Sequence, residues 1–271
     1  MAPPRDAMRF INEQDEATLQ RFIERLEIRG ADPRFTGYRE DYLRELKLDA
    51  TVLEIGCGTG VIARAVARRP GRTGQVTAVD QSPVLLAAAQ RLAAAEDLGG
   101  RIDFRTGDAN ALDLPDATFD AVIAHTLISH VADPAQVLGE AARVARPGGK
   151  VVIFDGDYAS LTFGCSDGEL ARDIETAFQG VIVTGPRVMR DLPRLLRPAG
   201  LELVWARAYV TADIGTSDFF LGLAEAYAPL IAKQGLLPAE RVETWLAEQR
   251  RTHEEGTFFA ACAYYTYVAT G

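Results

Sequence analysis

The 271 residues carry 38 Asp and Glu against 29 Lys and Arg, a net charge of −9, with 48% hydrophobic and 25% charged residues. That mixture excludes a disordered chain, and the longest apolar runs fall well short of the roughly 18 residues that cross a bilayer. The acidic balance argues against a nucleic-acid or anionic-membrane binder, because phosphate neutralisation needs clustered cations.

On a prior of about 150 residues per domain, the length corresponds to one large domain or one domain with a lid. Cys57, Cys165 and Cys262 are odd in number and widely spaced, so neither a zinc spacing nor a disulfide framework fits them. The opening MAPPRDAMRF has no apolar core of a secretory signal. A cytoplasmic protein with reduced thiols and no bound metal is therefore expected.

Helical patterns occupy residues 1–50, including Ala17–Ile28 and Tyr38–Leu46, and predict an N-terminal cap. From Thr51 onward, short β-branched runs alternate with helices, the pattern of an α/β fold with a mainly parallel sheet. The first strand is Thr51–Ile55, its helix Thr59–Arg69, and the second strand Gln75–Asp80. Ser82 and Pro83 open an Ala-rich helix as N-cap and first helical residue. Strands follow at Arg101–Gly107, Phe119–Ala124, Lys150–Asp155 and Glu202–Ala208, with helices at Pro134–Ala145 and Arg187–Pro198 between the later ones. The core then spans 51–208, a helical lid insertion 209–257, and a final strand 258–271. No internal repeat or low-complexity linker divides the chain, so one domain with helical additions is expected.

Three elements carry chemistry. Glu54-Ile55-Gly56-Cys57-Gly58-Thr59-Gly60 joins the first strand to its helix, where glycines allow a tight turn and close approach of a ligand. The dinucleotide fingerprint places glycines as G-x-G-x-x-G; here they fall at 56, 58 and 60 with Val61 next, which argues against an NAD loop. Asp80 ends the second strand, where an acid can accept both hydroxyls of a ribose. Gly107-Asp108-Ala109 ends the third strand and offers a carboxylate and a backbone N–H to an adenine edge.

Taken in order, VLEIGCGTG, AVDQSP, GDA, FDAVIAHTLISHV and RPGGKVVIFD resemble the successive motifs of class I S-adenosylmethionine-dependent methyltransferases, in the ubiquinone/menaquinone methyltransferase-like small-molecule branch. The resemblance covers roughly Tyr38–Ala208. It implies a Rossmann-like, seven-stranded, mostly parallel sheet in the order 3-2-1-4-5-7-6, the last strand antiparallel. It also implies S-adenosyl-L-methionine as cofactor, with Glu54, Gly56, Cys57 and Gly58 around its methionine part. Asp80 would hold the ribose and Gln81 would lie beside the adenine. Asp108 and Ala109 would contact the adenine edge, and the His125 carbonyl the cofactor's ammonium.

The expected activity is methyl transfer to oxygen or carbon, less readily nitrogen, of a small-molecule acceptor. A base is needed only where the attacking atom must lose a proton. His130 is the first candidate, with Asp155 or Asp157 to orient it, and His125 is the second. Tyr38, Arg39, Tyr158 and Phe219 are candidates for holding the acceptor, although a helical stripe such as Phe219–Leu223–Tyr227 also suits core packing. The alternative of another class is a protein that binds S-adenosylmethionine without transferring its methyl, as a binder or as the catalyst of a different reaction. No nucleic acid or membrane insertion is expected. An oligomer is left open, as are the acceptor's identity and the methylated atom.

Overall fold

The computed structural model describes residues 5–217 and 219–271; the first four residues of the N-terminal cap and Asp218 of the insertion lie outside them. Seven strands, β1 (Val52–Ile55), β2 (Val76–Asp80), β3 (Ile102–Thr106), β4 (Phe119–His125), β5 (Ala145–Phe163), β6 (Glu202–Gly215) and β7 (Phe258–Thr270), form one sheet ordered 3-2-1-4-5-7-6. β1 pairs in parallel with β2 and β4, β2 with β3, and β4 with β5. β7 runs antiparallel to both neighbours, β5 and β6. This is the expected sheet.

The helices are α1 (Glu16–Ala31), α2 (Pro33–Leu43), α3 (Val61–Ala67), α4 (Pro83–Ala95), α5 (Pro134–Val144), α6 (Gly168–Ile182), α7 (Val188–Leu196), α8 (Phe220–Lys233) and α9 (Ala239–Glu254). Their starts are written in the side chains. Asp32, Ser82, Asp133 and Asp167 each accept a bond from a backbone N–H in the first turn, and a proline follows the first three.

Central strands are apolar on both faces because both are covered. Val52, Ile123, Val152 and Phe154 point to one side, into a core shared with α1–α4, α6, α8 and α9. Leu53, Ile55, Val122, Val151 and Ile153 point to the other, against α5 and α7. The cap and the insertion thus lie on the same side of the sheet, and Phe22 of α1 packs on Tyr227 of α8 with ring centroids 5.2 Å apart. Among the described residues, no helix is long and apolar enough to cross a membrane.

Several boundaries differ from expectation. β5 runs to Phe163 rather than Asp155, and β6 to Gly215 rather than Ala208, because β7 pairs along both, matching Phe163 to Ala260 and Gly215 to Phe258. The insertion therefore begins after residue 215. α6 was not expected; Leu170, Ile174, Ala177, Phe178 and Val181 are its buried stripe. α2 starts at Pro33, ahead of Tyr38, because Asp32 caps it there.

Candidate functional site

The strand order reverses between β1 and β4, and in open α/β sheets ligands bind outside the carboxyl ends of the strands at such a point. A cavity of about 310 Å3 lies there, and Glu54, Gly56, Cys57, Gly58, Asp80, Gln81, Asp108, Ala109 and His125 all line it. All nine residues expected around the cofactor are thus brought together.

The glycine loop forms because its backbone needs left-handed geometry: Gly56, Gly58 and Gly60 have φ of +68°, +54° and +77°. At Gly56 a Cβ would also stand 2.6 Å from Leu127 Cδ1, so that leucine would have to shift. Asp80 fixes the loop from the next strand. Its carboxylate accepts from Gly58 N at 2.7 Å and Ser82 N at 2.9 Å, and each oxygen keeps a lone pair for a ligand hydroxyl. Glu54 is buried beneath the loop and accepts from Ala63 N at 2.7 Å; burial pushes its pKa up to about 8. Burial also holds the Cys57 thiol protonated. Asp108 stands exposed at the rim, accepting from Asn110 N and Nδ2.

The pKa values of His125 and His130 shift in opposite directions. His125 stacks on Phe154 at 4.4 Å, and its Nδ1 hydrogen-bonds the Tyr42 hydroxyl at 2.9 Å. Burial, with Arg29 and Arg39 nearby, drops its pKa well below the usual range and keeps it neutral. His130 also suffers from burial, but the Asp6 carboxylate 2.9 Å from Nδ1 outweighs it and raises the pKa. A carboxylate only accepts, so Nδ1–H donates to Asp6 and Nε2 is the basic nitrogen. Asp6 is fixed in turn by Thr184 Oγ1 and by the backbone N–H groups of Met8 and Arg9.

This corrects the expected partner of His130. Asp155 is fully buried, accepts from Ser129 N and Gly156 N, and does not border the cavity; it ties the loop after β4 to β5. Asp157 pairs with Arg190 at 2.7 Å. Of the candidates for the acceptor, Tyr38 is also out of place. Its ring stacks on Tyr209 at 4.1 Å, its hydroxyl reaches Thr211 Oγ1, and it borders neither cavity. Arg39 lines the larger cavity, held by the Gly30 carbonyl at 2.5 Å.

Tyr158 and Phe219 border a second, smaller chamber of about 50 Å3, walled by α1, α8 and the sheet. Met8, Leu26, Arg29, Thr126 and His130 line both spaces, so the two adjoin. At their border Thr126, with a strained φ of +53°, accepts from Arg29 Nη2 at 2.7 Å.

Sequence reasoning missed Asp6, which reaches the site through His130, and the neighbouring Met8 and Arg9, which line the cavity, with Arg9 O accepting from Gln81 Nε2 at 3.3 Å. No motif marks that segment. It also missed Arg25 and Arg29, which share one face of α1 because that helix runs to Ala31, past the expected end at Ile28. Among the described residues no group of three His, Cys, Asp or Glu side chains could hold a metal.

Residues 53–153 match the family model described as a methyltransferase domain. Over 170 residues the chain is 33% identical to the ubiquinone biosynthesis O-methyltransferase of Methylocella silvestris, covering 62% of this chain and 59% of that protein. It spans 62%, 48% and 59% of the length of three curated relatives. Two solved structures share the fold. One is a geranyl diphosphate C-methyltransferase from Streptomyces coelicolor in complex with S-adenosyl-L-homocysteine, with TM-score 0.51, 17% identity, and 88% and 81% of the two chains covered. The other is a 4+2 cyclase, SpnF, with TM-score 0.54, 22% identity, and 86% and 79% covered. Residues 53–153 thus carry a methyltransferase domain, set in a seven-stranded sheet ordered 3-2-1-4-5-7-6 around a glycine loop.

Proposed function

We propose that the protein methylates an oxygen or an acidic carbon of a small-molecule acceptor, with His130 as general base and Asp6 as the residue that positions it. One observation carries this reading: His130, oriented by a buried carboxylate, borders both the cofactor cavity and the adjoining aromatic chamber.

The larger cavity fits S-adenosylmethionine by its donor set and shape. Its glycine cradle has left-handed backbone that disfavours side chains, Asp80 can take the ribose hydroxyls, and Asp108 at the rim can take the adenine amino group. Glu54 and the His125 carbonyl would receive the ammonium, and Arg39 the carboxylate, of the methionine part. The bound cofactor supplies a methyl group already activated on a sulfonium, so the protein's work is positioning and exclusion of water.

The residues at the border divide that work. His130 Nε2 takes the proton from the acceptor's hydroxyl or acidic carbon as that atom attacks. Asp6 holds the imidazole in the tautomer that leaves Nε2 basic and stabilises the imidazolium that forms. Met8, Leu26 and Phe22 provide apolar walls that exclude water around the approach.

The test is S-adenosylhomocysteine formation from S-adenosylmethionine across a panel of phenols, alcohols and carbon acids. The wild type is expected to turn over at least one class. His130→Ala should lose about 10²–10⁴ in rate while binding S-adenosylhomocysteine as before. Equal turnover by His130→Ala would remove His130 as base. Cofactor binding with no product from any acceptor class would favour a non-methylating activity of the same fold.

A further inference from the structure

The cofactor cavity and the chamber beside it differ in charge. In the first, Glu54, Asp80 and Asp108 offset Arg9, Arg29 and Arg39. The second has no carboxylate in its lining and has two arginines, Arg25 and Arg29. They lie one turn apart on α1, a spacing at which like charges repel. Among the described residues neither forms an ion pair. Arg25 sits over the Phe219 ring at 5.3 Å, and Arg29 donates one bond to Thr126.

A second observation concerns hydroxyls. Tyr158, Tyr227 and Tyr264 are buried and line the same chamber. Buried phenols normally find a hydrogen-bond partner. Among the described residues none of these three hydroxyls has one, whereas the hydroxyls of Tyr42, Tyr209 and Tyr267, away from the chamber, are bonded to His125, Asp41 and the Met189 carbonyl. Two guanidinium groups and three phenols therefore face one small space with donors in excess and no acidic side chain to receive them.

Taking the methyltransferase reading as its basis, we infer that the acceptor is a small aromatic or apolar carboxylic acid, its carboxylate held by Arg25 and Arg29 and its apolar body among the chamber's aromatic rings. A carboxylate accepts from guanidinium forks and phenols together, which relieves the repulsion along α1 and satisfies the hydroxyls. Arg29 touches both spaces, so it reports on cofactor and acceptor alike; Arg25 lines only the chamber and separates them.

The test is calorimetry on the full chain, first with S-adenosylhomocysteine alone and then, once saturated, with 4-hydroxybenzoate, 3-(4-hydroxyphenyl)propanoate, indole-3-acetate and their neutral amides. At least one acid should bind one per chain and about tenfold or more tightly than its amide, as a charge-assisted pair gives over a neutral one. Arg25→Met should erase that preference and Arg25→Lys keep part of it, both with unchanged affinity for S-adenosylhomocysteine. Acids that bind no better than amides, or not at all, would overturn the inference, as would a preference surviving in Arg25→Met. If Arg25→Met fails to fold, Arg25→Lys decides: full loss of the preference or full retention counts against a charge contact at this position. Failure of the wild type to bind S-adenosylhomocysteine would instead overturn the methyltransferase reading.

Discussion

The cofactor cavity and the aromatic chamber adjoin, yet they are built by different means. The cavity's floor is backbone, a left-handed glycine loop and the ends of four parallel strands pinned by Asp80 to Gly58 and Ser82, with Leu26, Phe35 and Arg39 of the cap over it. The chamber is made of side chains brought from far apart in the chain, Phe22 and Arg25 on α1, Tyr227 on α8, Tyr158 and Tyr264 on the sheet. Backbone geometry holds a constant ligand, while side chains on added helices can be exchanged without disturbing the sheet. The two halves meet at His130, whose partner Asp6 comes from the N-terminal segment.

The largest effect that would sharpen this contrast is at that meeting point. Asp6→Asn should slow turnover and move the acid limb of the rate–pH profile to lower pH. The carboxylate that raises the His130 pKa against burial would be gone, so the imidazole is deprotonated at lower pH. NMR titration of the His130 ring would read the shift directly; an unmoved pKa would detach Asp6 from the site. Thr184 and the two N–H groups that bond Asp6 make asparagine the mildest replacement.

Next comes the cradle. Gly56→Ala forces a left-handed alanine and a contact with Leu127, and should cost about 1–3 kcal/mol in denaturant unfolding, together with cofactor affinity. An unchanged stability would contradict the backbone account of the cavity.

The pH dependence of stability should single out Glu54. Its folded pKa, about 8, exceeds the unfolded value near 4.5, so the folded chain holds the extra proton between these limits. Stability from this group is therefore lost as pH rises through that window, by at most about 1.4 kcal/mol per pH unit. Glu54→Gln should flatten the decline measured between pH 6 and 8; an identical slope would mean Glu54 titrates normally.

The smallest effect has the opposite sign. Gly222 lies inside α8, where an added Cβ would meet only Arg25 Nη1 at 3.6 Å. Gly222→Ala, in the first turn of α8, should stabilise by up to about 0.5 kcal/mol, less than the roughly 1 kcal/mol of a helix interior. The same substitution thus harms the cavity and helps the wall of the chamber, which thermal melts of the two variants would test side by side.

The legibility of the two halves in sequence follows from the same difference. The glycine loop, Asp80 and Asp108 each stand at the end of their own strand, so a strand pattern followed by its turn or acid finds each of them locally. Asp6 and His130 are 124 residues apart and share no pattern, and the nearer acid, Asp155, was the natural but mistaken partner. Tyr38 failed for a related reason. Its helix was foreseen, but its stacking on Tyr209 depends on β6 extending past Ala208, a length set by pairing with β7. Pairing between distant strands also explains the underestimated β5.

The most direct measurement is calorimetric titration of the wild type and Asp80→Ala with S-adenosylhomocysteine and with NAD. The predicted result is one site per chain for S-adenosylhomocysteine, loss of most of that affinity in Asp80→Ala, and no binding of NAD. NAD binding, or S-adenosylhomocysteine affinity indifferent to Asp80, would contradict the assignment of the cavity on which the rest depends.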